Sequence, residues 1–257
     1  MLTASRSVPC QGNDDAAISQ GVDRALFVWL LLASFIGVLA GMPWTVAVLG
    51  HSSIVWRNAA IEFLFLLAPA CAVGVWLGKK VNLGTELREL ASRARSWRRG
   101  MPWLGPTILA GMTLGGLSYF AQNSIPNSAW IPGLSNPNAL EWFLRCISAA
   151  LTEEVFFRFG LMTLFVWLVR SGFKRPGVGV SSLWIGNLAS ALIFAGAHLP
   201  QLAAGGLILA VTVVSSTSVG MVMGWLFMRF GLTCAIVFHF TVDLMVYVVP
   251  RVLTGAS

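Results

Sequence analysis

Charged side chains are scarce in this sequence: Lys, Arg, Asp and Glu together make up 11% of its 257 residues, where a soluble domain carries about 25%. So few charges exclude a water-facing surface over a chain of this length. Cysteine is sparse as well. Cys10, Cys71, Cys146 and Cys234 lie far apart with no Cys-x-x-Cys pair, so neither a disulfide framework nor a zinc-knuckle spacing is visible, and the redox compartment stays open. Three of the four fall in apolar runs, where cysteine is usually a small packing residue. Residues 1–24 lack a short apolar core followed by a small-residue cleavage site. No removable signal peptide is expected, and the first apolar run is a retained span. No internal repeat and no water-soluble domain is visible.

What the sequence does have is apolar blocks, at roughly 25–42, 59–78, 103–121, 139–170, 183–204, 206–228 and 231–249. Most are near the ~20 residues needed to cross the hydrocarbon. None alternates in polarity as a barrel strand must, so inside lipid they have to be helical. The expected fold is all-α: a polytopic transmembrane helical bundle of about seven helices. The fourth run is too long for one perpendicular span: it is expected to tilt, protrude or break near Gly160, and a break gives an eighth helical piece. The domain reading is a polar N-terminus (1–24), three N-terminal spans with a basic loop at 79–100 (25–138), and a core of about four spans (139–250).

Orientation follows from Lys and Arg in short loops. Lys79, Lys80, Arg88, Arg93, Arg95, Arg98, Arg99, Arg170, Lys174, Arg175 and Arg229 fall on one side if spans alternate, and Arg6 and Arg24 join them. The opposite loops offer Arg57 and Arg251. The N-terminus is therefore expected to be cytoplasmic, in an integral membrane protein of a bacterial cytoplasmic membrane. Trp44, Trp56, Trp130 and Trp142 fall at outer ends, and Trp76, Trp103, Trp167, Trp184 and Trp225 at inner ends, as an interfacial belt requires. Leu83, Leu87, Leu90, Ala94 and Trp97 recur at helical spacing among the basic residues of 79–100. That spacing reads as an amphipathic helix on the cytoplasmic leaflet, with a solvated positive-inside loop as the alternative. The pI of 9.9 comes mostly from these inner loops and points to anionic lipid rather than nucleic acid. Gly37/Gly41, Gly111/Gly115 and Gly220/Gly224 are small-residue pairs of the kind that let helices approach closely.

Ionisable groups inside a bilayer cost about 2.5–3.5 kcal/mol each on insertion and are functional by default. The first three runs hold almost none; Glu62 is the exception and reads as packing or snorkelling. The later runs hold Glu153, Glu154 and Arg158, then His198, then His239 and Asp243. Glu154 and Arg158 are four apart with the acid N-terminal, the favourable order for a side-chain pair. Glu153 points about 100° away on the wheel and has no base at its own i+3 or i+4, so it reads as the available carboxylate. Glu141 and Arg145 read as a similar, structural pair. His239 and Asp243 share one helix face, and Pro200 is expected to disturb the turn after His198.

Glu-Glu-x-x-x-Arg at 153–158, Phe-x-x-x-His at 194–198 and His-x-x-x-Asp at 239–243 resemble, in order and spacing, the three motifs of the CAAX protease and bacteriocin-processing family. This family, also called CPBP or Abi, consists of intramembrane glutamic endopeptidases and includes the Ras-converting type of CAAX prenyl endopeptidase. The stretch from Gly224 to Gly231 fits too. The resemblance covers about residues 141–247 and not the first three runs. It implies a helical bundle whose polar cavity activates water for peptide hydrolysis, with no catalytic metal or other cofactor. By matching positions, Glu153 with His198 would be the general base pair, and His239 with Asp243 would stabilise the oxyanion, supported by Glu154 and Arg158. The family often has Asn where this chain has Asp243, and ionised Asp cannot donate to an oxyanion; Asp243 then holds His239 as imidazolium or stays protonated. The implied substrate is a membrane-associated peptide, CAAX-like or a peptide precursor.

Two alternatives remain at this stage. One carboxylate and two imidazoles could bind zinc and keep an open water position, although no His-Glu-x-x-His motif is present. The same buried groups could also serve a proton-linked carrier or a non-enzymatic immunity or scaffold protein.

Overall fold

The computed structural model describes residues 11–50, 53–91, 101–123, 137–172, 178–198 and 207–254. Helix accounts for nearly all of them and no strand occurs among them, so the all-α membrane bundle is borne out. Eight helices are described: α1 (Gln11–Leu49), α2 (Ser53–Val81), α3 (Thr85–Ala91), α4 (Met101–Asn123), α5 (Ala139–Gly172), α6 (Val178–Ala197), α7 (Leu207–Phe230) and α8 (Leu232–Thr254). Six of them, α1, α2, α5, α6, α7 and α8, are long and apolar enough to cross a membrane. The remaining expected span is α4, 23 residues long, which Pro106 and repeated glycines make less apolar. The expectations for Arg93, Arg95, Trp97, Arg98, Arg99, Trp130, Lys174, Arg175 and Pro200 lie outside the described residues.

The outer surface is what a lipid solvent selects. Trp29, Phe65, Leu109 and Leu253 are 67%, 71%, 67% and 80% exposed, a density of bare apolar side chains that only a membrane covers. Inside, Phe159, Met162, Met223, Phe238 and the free thiols Cys71, Cys146 and Cys234 are buried. The three glycine pairs each sit at a close helix approach. A Cβ on Gly37 or Gly41 would meet Thr152 or Ser148 of α5; on Gly111 or Gly115, residues 238–245 of α8; on Gly220 or Gly224, Ala191 or Asn187 of α6.

Successive spans alternate in direction, and local chemistry ties their ends. At one end Asp23 pairs with Lys79, and Arg88 donates to Val75 O (2.5 Å) and Asp23 Oδ1 (3.4 Å). Arg170 donates to Val81 O (2.9 Å) and Ser182 Oγ (2.9 Å), joining the last turns of α5 and α2 to the first of α6. Glu86 in α3 accepts from the Leu232 N–H (2.5 Å) and so satisfies one of the open donors at the start of α8. Gly231, at φ 97°, makes the turn from α7 into α8 that an L side chain would resist. At the other end Trp142 stacks on Tyr247 (4.6 Å) and meets Trp44 edge-on (5.5 Å). Part of the expected amphipathic segment is present as α3, with Leu83 buried just before it.

Two sequence expectations change. The fourth run does not break near Gly160. α5 continues for 34 residues, and the extra length is absorbed by a π-wound segment, Val155–Met162. Gly160 belongs there because Ala70 of α2 leaves no room for a Cβ. Similar segments occur at Glu62–Leu67 in α2 and Leu244–Val248 in α8. Glu141, expected to pair with Arg145, instead closes a capping box: Asn138 Oδ1 accepts from Glu141 N (2.9 Å) and Glu141 Oε2 from Asn138 N (2.8 Å). The open helix N-terminus offers the carboxylate a backbone donor at a fixed position, and the reciprocal bond to Asn138 holds it there, which wins over one flexible cation.

Candidate active site

The buried ionisable groups converge where α5, α6 and α8 meet. Glu154 and Arg158 are fully buried, and Arg158 Nε lies 3.4 Å from Glu154 Oε2. The (i, i+4) pair read from the sequence is therefore present. Arg158 Nη2 also donates to Gly220 O (3.3 Å), and its guanidinium lies 4.9 Å over the Phe194 ring. Phe194 links the motifs physically: its ring centroid is 4.5 Å from that of His198 and 5.9 Å from that of His239.

His239 is held by carboxylates at both ring nitrogens. Nδ1 lies 2.9 Å from Glu154 Oε1, while Nε2 lies 3.6 Å from Asp243 Oδ2 and 4.0 Å from Glu153 Oε2. A carboxylate at 2.9 Å requires the proton on Nδ1, so Glu154 sets the tautomer as well as balancing Arg158. His198 Nδ1 lies 2.8 Å from Phe194 O. A carbonyl only accepts, so Nδ1 donates, and the neutral ring presents a bare Nε2. His198 is close enough to Glu153 and Asp243 to interact electrostatically with both.

Glu153 is not the unpartnered acid the sequence suggested. Arg145 Nη2 donates to its Oε1 (3.1 Å). The pair spans eight residues, about 12 Å along an α-helix axis, and the (i, i+3) and (i, i+4) rule does not reach that far. The second oxygen, Oε2, is buried and has no hydrogen-bond partner. Glu153 also lines a cavity of ≈ 180 Å³, together with Trp44 and Thr45 of α1, Asn58 and Glu62 of α2, and Arg145 of α5. Glu62, read as packing, thus shares a polar space with Arg145 and Glu153. No local spacing could have signalled this, because the contact joins helices that are distant in sequence.

The structure brings Glu153, Glu154, Arg158, His239 and Asp243 into one cluster, with His198 beside it across Phe194. Among the described residues, no group of three or more His, Cys, Asp or Glu side chains is arranged to hold a metal ion. The cluster offers an unpartnered acceptor oxygen on a residue that lines a cavity, a second acceptor nitrogen, and a donor nitrogen between carboxylates, which are the parts of a water-activating site.

Residues 135–245 match the family model described as type II CAAX prenyl endopeptidase Rce1-like. The match takes in α5 to α8 up to Met245 and all three motifs, so the resemblance holds over that part of the chain; α1 to α4 lie outside it. No curated protein and no solved structure matches the chain.

Proposed function

We propose, from the match of residues 135–245 to the Rce1-like family model, that this protein is an endopeptidase that hydrolyses a membrane-associated peptide with water activated by Glu153 and His198. One observation carries the reading: Glu153 lines a cavity, and its buried Oε2 has no hydrogen-bond partner and lies 4.0 Å from His239 Nε2. Arg145 occupies the other oxygen and fixes the carboxylate, so the acceptor is aimed.

The steps follow from the donors and acceptors. A water between Glu153 Oε2 and His198 Nε2 gives up a proton to Glu153 as its oxygen attacks the scissile carbonyl carbon. The carbonyl oxygen gains the electron pair and becomes an oxyanion. His239, protonated on both nitrogens and held by Glu154 and Asp243, donates from Nε2 to that oxyanion. This gives Asp243 a role open to a carboxylate, since it orients the donor and need not donate itself. Collapse of the tetrahedral intermediate breaks the C–N bond, and the proton on Glu153 passes to the leaving amine. A positioned base contributes about 10²–10⁴-fold, and loss of an oxyanion donor costs about 10²–10³-fold.

No metal takes part in this scheme. Loss of activity on chelation, restored by zinc, would overturn that. The basic end of the bundle faces the cytoplasm and its anionic lipid, in accord with the positive-inside rule. The deciding experiment incubates the purified chain with a membrane peptide mixture in ¹⁸O water. One labelled oxygen should appear in each new carboxyl terminus, and Glu153→Gln and His198→Ala should abolish it. If both variants keep the wild-type cellular phenotype, a scaffold or carrier role replaces the enzyme.

A further inference from the structure

The cavity at Glu153 has a direction. Its α1 lining, Trp44 and Thr45, lies in the last turns before Leu49, and its α2 lining includes Val55 and Asn58, in the first turns after Ser53. It therefore runs from Glu153 to the end of the bundle where α1 stops and α2 begins. The basic groups gather at the opposite end, where Lys79, Arg88 and Arg170 tie Asp23, Val75 and Val81 together and where Arg229 closes α7. Toward the basic end α5 continues through Glu154, Arg158 and Phe159, which are fully buried and do not line the cavity. The positive-inside rule places the basic end in the cytoplasm, so the mouth of the cavity lies on the other face.

The walls also limit the occupant. Asn58, Glu62, Arg145 and Glu153 present amide, carboxylate and guanidinium groups to the space. An isoprenoid chain would satisfy none of the donors and acceptors that remain once Arg145 has paired with Glu153, at the cost of burying unpaired polar atoms. A peptide backbone, with an N–H and a C=O at each residue, satisfies them, and so does water. Resting on the peptidase reading above, we infer that the α1–α2–α5 cavity is the entry subsite for a peptide segment, and its water, arriving from the non-cytoplasmic face of the membrane. Helices outside the family match then choose the substrate, while the matched helices carry the chemistry.

Labelling from one side of the membrane tests this without depending on catalysis. Asn58→Cys and Lys80→Cys are made singly in the full chain, and cells are treated with a membrane-impermeant maleimide. The parent chain carries Cys10→Ser and sets the background, its remaining Cys71, Cys146 and Cys234 being buried. Asn58→Cys should be labelled in intact cells, and Lys80→Cys only in inside-out vesicles. The reverse pattern, or an Asn58→Cys that reacts from neither side, overturns the inference. Labelled Asn58→Cys should also cleave the membrane peptide mixture at least ten-fold more slowly than the unlabelled variant. Full activity after labelling overturns the route. A parent chain that cleaves nothing overturns the peptidase reading, and the labelling pattern still decides the face.

Discussion

His239 Nδ1 lies 2.9 Å from Glu154 Oε1, so the second glutamate of the Glu-Glu pair holds the histidine of the last helix. One carboxylate thereby joins two motifs that are 85 residues apart, and its other oxygen faces Arg158 at 3.4 Å. Glu154 is the hinge between the charge that the bundle buries and the imidazole it presents.

Removing either member of that pair leaves the other charged and unmatched in a dry interior, which costs about 3–5 kcal/mol. Arg158→Leu should therefore lower the thermal unfolding temperature sharply in detergent. Glu154→Gln leaves Arg158 unmatched and should also lower the unfolding temperature, but it keeps an acceptor for His239, and the folded fraction should hydrolyse on the order of 10²-fold more slowly. Equal unfolding temperatures for Arg158→Leu and the parent would remove the buried ion pair from the account.

Arg145 acts through Glu153. Arg145→Gln releases the carboxylate from its fixed rotamer and should lower kcat by about 10–100-fold with little change in KM, the pattern of an interaction lost in the transition state. Arg145→Lys keeps the cation and should restore part of that loss. A variant that changes KM alone would make Arg145 a substrate contact instead.

Backbone crowding at the π-wound segment makes a matched pair of alanines informative. A Cβ on Gly160 would lie 2.9 Å from Ala70 Cα, whereas one on Gly116 meets nothing within 4 Å. Gly160→Ala should destabilise by about 1–3 kcal/mol, and Gly116→Ala should be neutral or slightly stabilising. Thermal scans of the two variants side by side decide this.

Burial pushes the Glu86 carboxyl above its ordinary value of 4.5, although the Leu232 N–H pulls the other way. The folded state therefore holds this proton more tightly than the unfolded chain. The corresponding stability is present in full below the ordinary value and is lost as pH rises through the raised one. Glu86→Gln, which still accepts from Leu232, should flatten that part of the unfolding-temperature profile against pH. A slope that survives in Glu86→Gln belongs to another group.

Much of this arrangement was legible from local spacing. Glu154 and Arg158 are one helical turn apart, so their pairing needed only the helix, and the three motifs kept their order in the chain. The same logic misassigned Arg145. A neighbour at i−4, Glu141, looked like its partner, but the Glu141 carboxylate is taken by the backbone N–H of Asn138, whose side chain in turn accepts from Glu141 N. Arg145 turns inward to Glu153 instead. Glu62 was out of reach for a different reason, since its neighbours come from another helix and a single sequence carries no trace of which helices touch. The wide turns were hidden too, because a π segment has the same apolar composition as an α one.

Those wide turns make the protein sensitive to its own residue count. Removing one residue between Val155 and Met162 would only let α5 close as an ordinary α-helix, whereas removing a second would turn Glu153 by about 100° relative to Thr163–Gly172. Length and greasiness would hardly alter, so the shortened chain would still enter the bilayer and pack. Its acid, however, would point away from the wet space, giving a protein that is stably inserted and catalytically mute.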